Sequence, residues 1–479
     1  MSAVKPDRLP PGLLQLVGVV MLGALMMQLD MTMTTIATNT LLHRFDVTLS
    51  TLQWVGTGYL LAMASVIPLA GWSLERFGAR AVWMFSLAAF LAGSILCGLS
   101  WSVGSLIAFR VIQGIGGGLV LPIGQAVLAQ AAGPERIGRV MAAIGIPSLL
   151  GPVLGPVLGG LIVTDLSWRW IFYVNVPICL AALVLSARIV PTVRMPGRHR
   201  LDVGGLALIS LGCVSLIYGF AEAGRSGGFT ATRVVVLLAA GAVLLAAFVV
   251  LTLRSTAPLI DLRLLRNRPF AASSGAIFLA MVVLFGALGL LPLYYQQVRG
   301  DSPLHTGLLL IPFGVGMGLS LAVAGRAADR MAPRGLALCG LALSAVGALL
   351  FTRLGHQPNT VLLSVAQLVA GAGVGGMLVP IMAAGIRGLP GPAIPRATTA
   401  MRIFQQLGGS FGSALLFVVL QRQIAAHGTA GSTAALGAAF GSTFWWPVGF
   451  TLLAAIPILL LPGRRTTAAP VPSPTVATE

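Results

Sequence analysis

The chain has 12 acidic residues; eleven fall in loops, tails or at the ends of apolar runs, and only Asp30, in MMQLDMTMTTIA, lies clearly within one. A carboxylate inside a membrane is expensive and marks a functional site by default, and the short aspartate side chain reaches an interface poorly. A second apolar run, FRVIQGIGGGLVLPIG, carries Arg110, with Gln113 one helical turn further on. Counted from the same side of their runs, Asp30 lies about seven residues deep and Arg110 about six. At 1.5 Å per residue both are roughly 10 Å below one face. Matched depth is what an ion pair requires. The chemistry open to such a pair is the uptake and release of a proton, with Arg110 as counter-ion and Gln113 facing the same way. No intramembrane histidine cluster, Ser/His/Asp set or GxxxxGK[ST] phosphate loop accompanies it, so neither enzymatic nor nucleotide-driven chemistry is expected. Cys97, Cys179, Cys213 and Cys339 all fall inside apolar runs without paired spacing, which argues against a disulfide framework or a metal site. No cofactor is expected.

The elements that must hold these residues are membrane helices. The chain is 57% hydrophobic and 9% charged, with a mean hydropathy of +0.94, far from any soluble domain. The net charge of +18 comes from short basic clusters between apolar runs, the pattern of membrane topology rather than of a nucleic-acid surface. Runs of roughly 17–25 apolar residues number about fourteen. With the N-terminus inside, most of the 30 Lys and Arg lie in cytoplasmic segments; both termini are therefore expected in the cytoplasm of a multi-pass cell-membrane protein. The first run is too long and too polar at its end for a cleaved signal peptide.

The two ends of the chain repeat each other. Ala70-Gly71 through Glu75-Arg76 to Arg80 aligns without gaps on Ala324-Gly325 through Asp329-Arg330 to Arg334, Gly117–Ile123 matches Gly375–Ile381, and Gly151 and Gly155 fall on Gly408 and Gly412. In this alignment Arg110 falls on Leu368, so the charge machinery belongs to the N-terminal half. The fold expected is an all-α polytopic membrane protein of two pseudo-symmetric six-helix bundles, residues 1–189 and 269–462. A linker and two inserted central spans occupy 190–268, and 463–479 form a disordered cytoplasmic tail. Internal repeats of this size build many transporters, with the substrate path at their interface.

Two further stretches bear on movement. In GIPSLLGPVLGPVLGGL, from Gly145 to Leu161, Gly151, Gly155 and Gly159 recur every four residues, with Pro147, Pro152, Pro156 and Gly160 interleaved. Small residues at this spacing let a second helix approach closely, and prolines bend the helix that carries them. A tightly packed span with no moving part is one reading; a seam between two moving bundles suits the longer, proline-laced row better. In GWSLERFGARAVW, Gly71, Glu75, Arg76, Gly78 and Arg80 form a tight basic loop, which its repeat at Asp329 and Arg330 marks as more than punctuation. The carboxylate can accept from free N–H groups at a helix start or pair with a neighbouring arginine, holding the cytoplasmic side shut. The substrate path is expected to use Gln113, Met26, Trp54, Tyr294, Tyr295 and Gln296, the last three from LPLYYQQVRG, whose aromatics fit an interfacial belt equally well. Methionines near Asp30 would suit varied apolar cargo. Arg402, one turn from a cytoplasmic span end, is expected to snorkel.

To about residue 462 the chain resembles the major facilitator superfamily, in particular its 14-span drug:proton antiporter branch. Gly71–Arg80 is similar to the superfamily's loop signature, with Glu75 for the usual aspartate and Ala79 for the usual basic residue. Arg110, Gln113, Gly114 and Gly116 match the motif assigned to proton coupling, Gly145–Gly160 resembles the antiporter signature, and Leu29-Asp30 resembles the start of the first-span motif of that branch. The resemblance implies export of amphipathic, often cationic compounds driven by inward proton flow. A narrow exporter of one natural product on the same fold, or a non-transporting membrane sensor, are the other classes. The partners expected are a small-molecule substrate, protons and the lipid bilayer, without nucleic acid, for a monomer.

Overall fold

A long apolar run in lipid must satisfy its backbone hydrogen bonds within itself, and the computed structural model of the chain is correspondingly helical, with no strand among the described residues. It describes residues 10–47, 49–132, 136, 140, 154–155, 158–163, 165–190, 201–226, 228–255, 262–328, 331–353, 359–390, 393–426 and 433–463. Twelve helices among these are long and apolar enough to cross a membrane, and a thirteenth is formed by the pair Trp54–Val66 and Leu69–Phe77, bent by 55°. The bend falls at Ile67-Pro68, where proline breaks the helical ladder. The remaining run of the fourteen expected, 138–163, lies mostly outside the described residues.

The first bundle consists of α1 (Pro11–Ile36), the short α2 (Thr38–Phe45), the bent pair α3 (Leu49–Val66) and α4 (Leu69–Phe77), α5 (Ala79–Gly98), α6 (Val103–Ala132), and α7 (Trp170–Tyr173) running into α8 (Asn175–Ile189). In it α6 packs against α3 and α5, and α8 against α1 and α5. Next come α9 (Val203–Ser226) and α10 (Thr232–Arg254). The second bundle holds α11 (Arg268–Leu293), α12 (Pro303–Leu309), α13 (Ile311–Ala328), α14 (Pro333–Phe351), α15 (Thr360–Ile386), α16 (Ile394–Ala426), α17 (Thr433–Thr443) and α18 (Trp445–Leu459). There α15 packs against α13 and α14, and α11 against α16 and α18.

Glycines set the register of both bundles. A Cβ at Gly114 or Gly118 would strike the Tyr59 or Met63 carbonyl on α3; one at Gly371 or Gly375 would strike the Phe313 or Met317 carbonyl on α13. Likewise Gly116 faces Ser86 and Phe90 on α5, as Gly373 faces Gly340 and Ser344 on α14. These contacts match α6 to α15 one residue earlier than the GGLVLPI alignment does, so the counterpart of Arg110 is Gln367 rather than Leu368. The correction makes physical sense: Leu368 is 40% exposed, whereas Gln367 is fully buried and donates to the Tyr295 hydroxyl at 2.5 Å. Where the first bundle holds a charged residue, the second holds a neutral amide.

The inserted helices differ from one another. Helix α9 packs against α3 of one bundle and α16 of the other. Ser210 Oγ donates to the Ser65 carbonyl at 2.7 Å, and the Phe220 ring meets Phe411 at 5.4 Å. Helix α10 packs on α9 and leaves Val235, Val236, Val243 and Leu253 exposed, as a lipid-facing helix should. Between the bundles themselves, α16 lies against α4 and α6.

Candidate functional site

The site is assembled at one level of the first bundle from α1, α3, α5, α6 and α8. Asp30 and Arg110 are both fully buried and in contact: Arg110 Nη1 donates to Asp30 Oδ2 at 2.5 Å. Gln113 Nε2 donates to the other carboxylate oxygen, Oδ1, at 2.8 Å, and Asn175 Nδ2 donates to the same oxygen at 2.9 Å. Arg110 is held in turn. Its Nη1 also donates to Gln113 Oε1 at 2.7 Å, its Nε to the Val55 carbonyl at 3.4 Å, and its guanidinium stacks over the Tyr59 ring at 4.2 Å, an arrangement that suits the delocalised cation. Ser94 Oγ accepts from Gln113 at 2.7 Å and from Asn175 at 3.4 Å.

Two glycines bring these side chains within reach. A Cβ at Gly93 would stand 2.5 Å from the Gln113 Cα, so only glycine lets α5 deliver Ser94 to the amide. A Cβ at Gly114 would stand 2.5 Å from the Tyr59 carbonyl, so glycine here seats the tyrosine ring under Arg110. A buried pair recovers its desolvation cost only when further hydrogen bonds complete it. Three donors on the carboxylate meet that demand.

A second constellation lies where α4 meets α16. Glu75 and Arg396, 321 residues apart in the chain, form a two-pronged pair, Nε to Oε1 at 2.8 Å and Nη2 to Oε2 at 3.0 Å. The partner of Glu75 is thus an arginine of the other bundle, not a neighbour in its own loop. Gly78 ends α4 at φ 82°, a left-handed conformation that favours glycine, and the Gly71 backbone is buried. Arg80 donates to the Ala187 carbonyl at the end of α8, where a cation suits the helix dipole. Arg76 is exposed. Asp329 and Arg330 lie outside the described residues.

Other expected site residues sit elsewhere. Of the antiporter-like stretch, Gly145, Pro147, Gly151, Pro152 and Pro156 lie outside the described residues. Gly155 and Gly159 are buried and Gly160 half-buried. A Cβ at Gly155 would collide with the Thr32 hydroxyl on α1, so this glycine packs inside the first bundle, two residues beyond Asp30. Tyr294 and Tyr295 are both buried rather than set in an interfacial belt, Tyr294 against Phe440 at 5.6 Å and Tyr295 bonded to Gln367. Only Gln296 of that group is exposed. Met26 is likewise core, packed beside Cys179. Trp54 faces the inserted helix, its ring 5.4 Å from Tyr218. Arg402 is half-buried and donates to Gln405 Oε1 at 2.7 Å. The residues that sequence reasoning missed are Asn175, Ser94 and Arg396. The one signal for Asn175 was a lone amide in the apolar WIFYVNVPI, overshadowed there by the aromatic cluster.

Residues 20–413 match the family model described as Major Facilitator Superfamily. A Mycobacterium tuberculosis protein named multidrug resistance protein B homolog is 40% identical over 421 residues, covering 87% of this chain and 78% of the relative. The Listeria monocytogenes lincomycin resistance protein LmrB is 28% identical, covering 80% and 81%. Among solved structures, the human organic anion transporter MFSD10 superposes with a TM-score of 0.64 at 18% identity, covering 92% of this chain and 100% of that one. The proton:xylose symporter XylE gives 0.64 at 16%, covering 93% and 94%.

Proposed function

The chain belongs to the major facilitator superfamily, and is a multi-pass membrane transporter rather than an enzyme; on that premise we propose that it is a proton-coupled antiporter of the 14-span branch, exporting amphipathic small organic compounds. The observation that carries this reading is the fully buried Asp30, held by Arg110, Gln113 and Asn175. An ionisable side chain inside a membrane marks an ion or substrate path by default, and a carboxylate there can cycle a proton. The names of the relatives, multidrug resistance protein B homolog and lincomycin resistance protein, support drug-like cargo.

In the proposed cycle Asp30 takes a proton from outside, which neutralises the carboxylate and loosens its pairing with Arg110. The bundles 1–189 and 269–462 rock about their interface, the proton leaves inward, and the re-ionised site admits substrate for export. Both termini are cytoplasmic in this reading. The Glu75–Arg396 pair then lies on the cytoplasmic side and ties the bundles together there, so inward opening requires it to break. Every group in the cycle comes from one chain, and a monomer suffices.

Energised inverted vesicles containing the protein are expected to accumulate an amphipathic dye and to lose it on addition of a protonophore. Accumulation driven by ATP without a proton gradient would overturn antiport.

A further inference from the structure

The carboxylate of Asp30 faces donors on every side. Arg110 occupies Oδ2, and the two amide groups of Gln113 and Asn175 occupy Oδ1. No acceptor among the described residues is hydrogen-bonded to either oxygen. An ionised carboxylate accepts all of these bonds, whereas the O–H of a protonated one must itself find an acceptor. Proton uptake at this site therefore requires a neighbour to change its orientation.

Of the three residues hydrogen-bonded to the carboxylate, one can do so without breaking a bond to Arg110. Gln113 uses both ends of its amide: Oε1 accepts from Arg110 at 2.7 Å and faces the Cys97 thiol at 3.9 Å, while Nε2 donates to Asp30 and Ser94. Turning it would set its N–H2 group against the guanidinium. Asn175 is different. Its Nδ2 donates to Asp30 and Ser94, but its Oδ1 is fully buried with no hydrogen-bond partner. A buried acceptor left unsatisfied is uncommon in a folded protein and calls for an explanation.

Resting on the proton-site reading above, we propose that Asn175 is the switch that reads the protonation state of Asp30. With the carboxylate ionised, Nδ2 points at it. When a proton arrives from water and binds Oδ1 of Asp30, the amide turns by half a revolution about its last side-chain bond. Its Oδ1 then accepts the new O–H, and Nδ2 moves to the side where Oδ1 stood. Release of the proton to water reverses the turn. No other bond is made or broken. The change falls at the first turn of α8, which packs against both α1 and α5, so the occupancy of α1 is passed to a second span. Among the described residues, the other titratable groups around Asp30 are Arg110 on α6, Tyr59 on α3, Cys97 on α5 and Cys179 on α8. The three neutral ones carry no second acceptor hydrogen-bonded to the carboxyl. Asn175 is thus a positioning residue for proton exchange.

Four asparagines, Asn39, Asn175, Asn267 and Asn359, are present in the chain, so labelling with side-chain 13C-asparagine gives an interpretable infrared difference spectrum. The full-length protein in detergent is titrated with acid. Wild type is expected to gain a protonated-carboxyl band, absent in Asp30→Asn, together with a shift of one asparagine carbonyl to lower frequency at the same midpoint. That shift should vanish in Asn175→Leu, whose proton-driven transport should fall at least tenfold. A carboxyl band that grows in wild type without any asparagine carbonyl shift overturns the switch and leaves the proton site standing. A band unaffected by Asp30→Asn refutes the proton-site reading and the switch with it. The wild-type spectrum decides between these outcomes even if Asn175→Leu does not fold.

Discussion

Replacing Glu75 by glutamine should shift the balance between conformers of the transporter by about 2 kcal/mol. Glu75 and Arg396 share two charge-assisted hydrogen bonds of 2.8 and 3.0 Å, with side chains only 9% and 19% exposed. A bond to a charged group contributes roughly 1.5–3 kcal/mol net, and a paired fork holds its geometry better than two separate contacts. Glutamine keeps one neutral acceptor, so one charged bond is lost and the other weakened. Arg396 retains some access to water, which limits the penalty of leaving it unpaired. At 1.4 kcal/mol per decade, about 2 kcal/mol corresponds to roughly a 30-fold shift. Because the pair joins α4 to α16, the shift should favour separation of the bundles at that end rather than unfolding. The assay is single-molecule fluorescence transfer between labels on the ends of α4 and α16 in nanodiscs, using a background without native cysteines. Glu75→Gln and Arg396→Gln should each raise the open fraction, and the double variant should raise it little further. Glu75→Arg with Arg396→Glu should restore closure in part. Additive effects of the two single changes would mean no coupling between the side chains, and would refute the latch.

Three further outcomes follow from the site. Asp30→Asn keeps the size and hydrogen bonding of a protonated carboxyl, so the folded protein should still bind substrate but release no proton on its addition; full release in a pH-stat measurement would assign the proton to another group. Arg110→Lys keeps the charge but loses the fork and the stacking on Tyr59, and counterflow in proteoliposomes should fall on the order of tenfold to a hundredfold without loss of membrane abundance. Gly155→Leu places a bulky chain where Thr32 packs. Overpacking there costs typically 1–3 kcal/mol; transport should fall sharply at equal abundance, and wild-type rates would show that α1 tolerates displacement beside Asp30.

Much of this was legible before any coordinates. Apolar run length and positive charge between runs are local properties, and lipid leaves a chain of this composition one structural solution. The helical fold and the positions of the described spans therefore follow from hydropathy alone. The solitary carboxylate was equally plain, because a charge among apolar residues needs no partner to be noticed. Depth along a helix is also a sequence property, and it put Asp30 and Arg110 at one level. Which faces of the helices meet is not such a property. Asn175 lies 145 residues from Asp30, and Arg396 lies 321 from Glu75; neither separation carries a signal, since each contact depends on how whole helices rotate and pack. The same holds for Tyr294 and Tyr295, whose residue types fit a membrane belt as well as a bundle core. Packing against Phe440 and Gln367 decided that case. Likewise, gapless alignment matched Arg110 to Leu368, whereas glycine contacts with carbonyls of the neighbouring helix moved the match to Gln367. A repeated motif records which residues recur. Only the close approach of one backbone to another decides which of them occupy equivalent places.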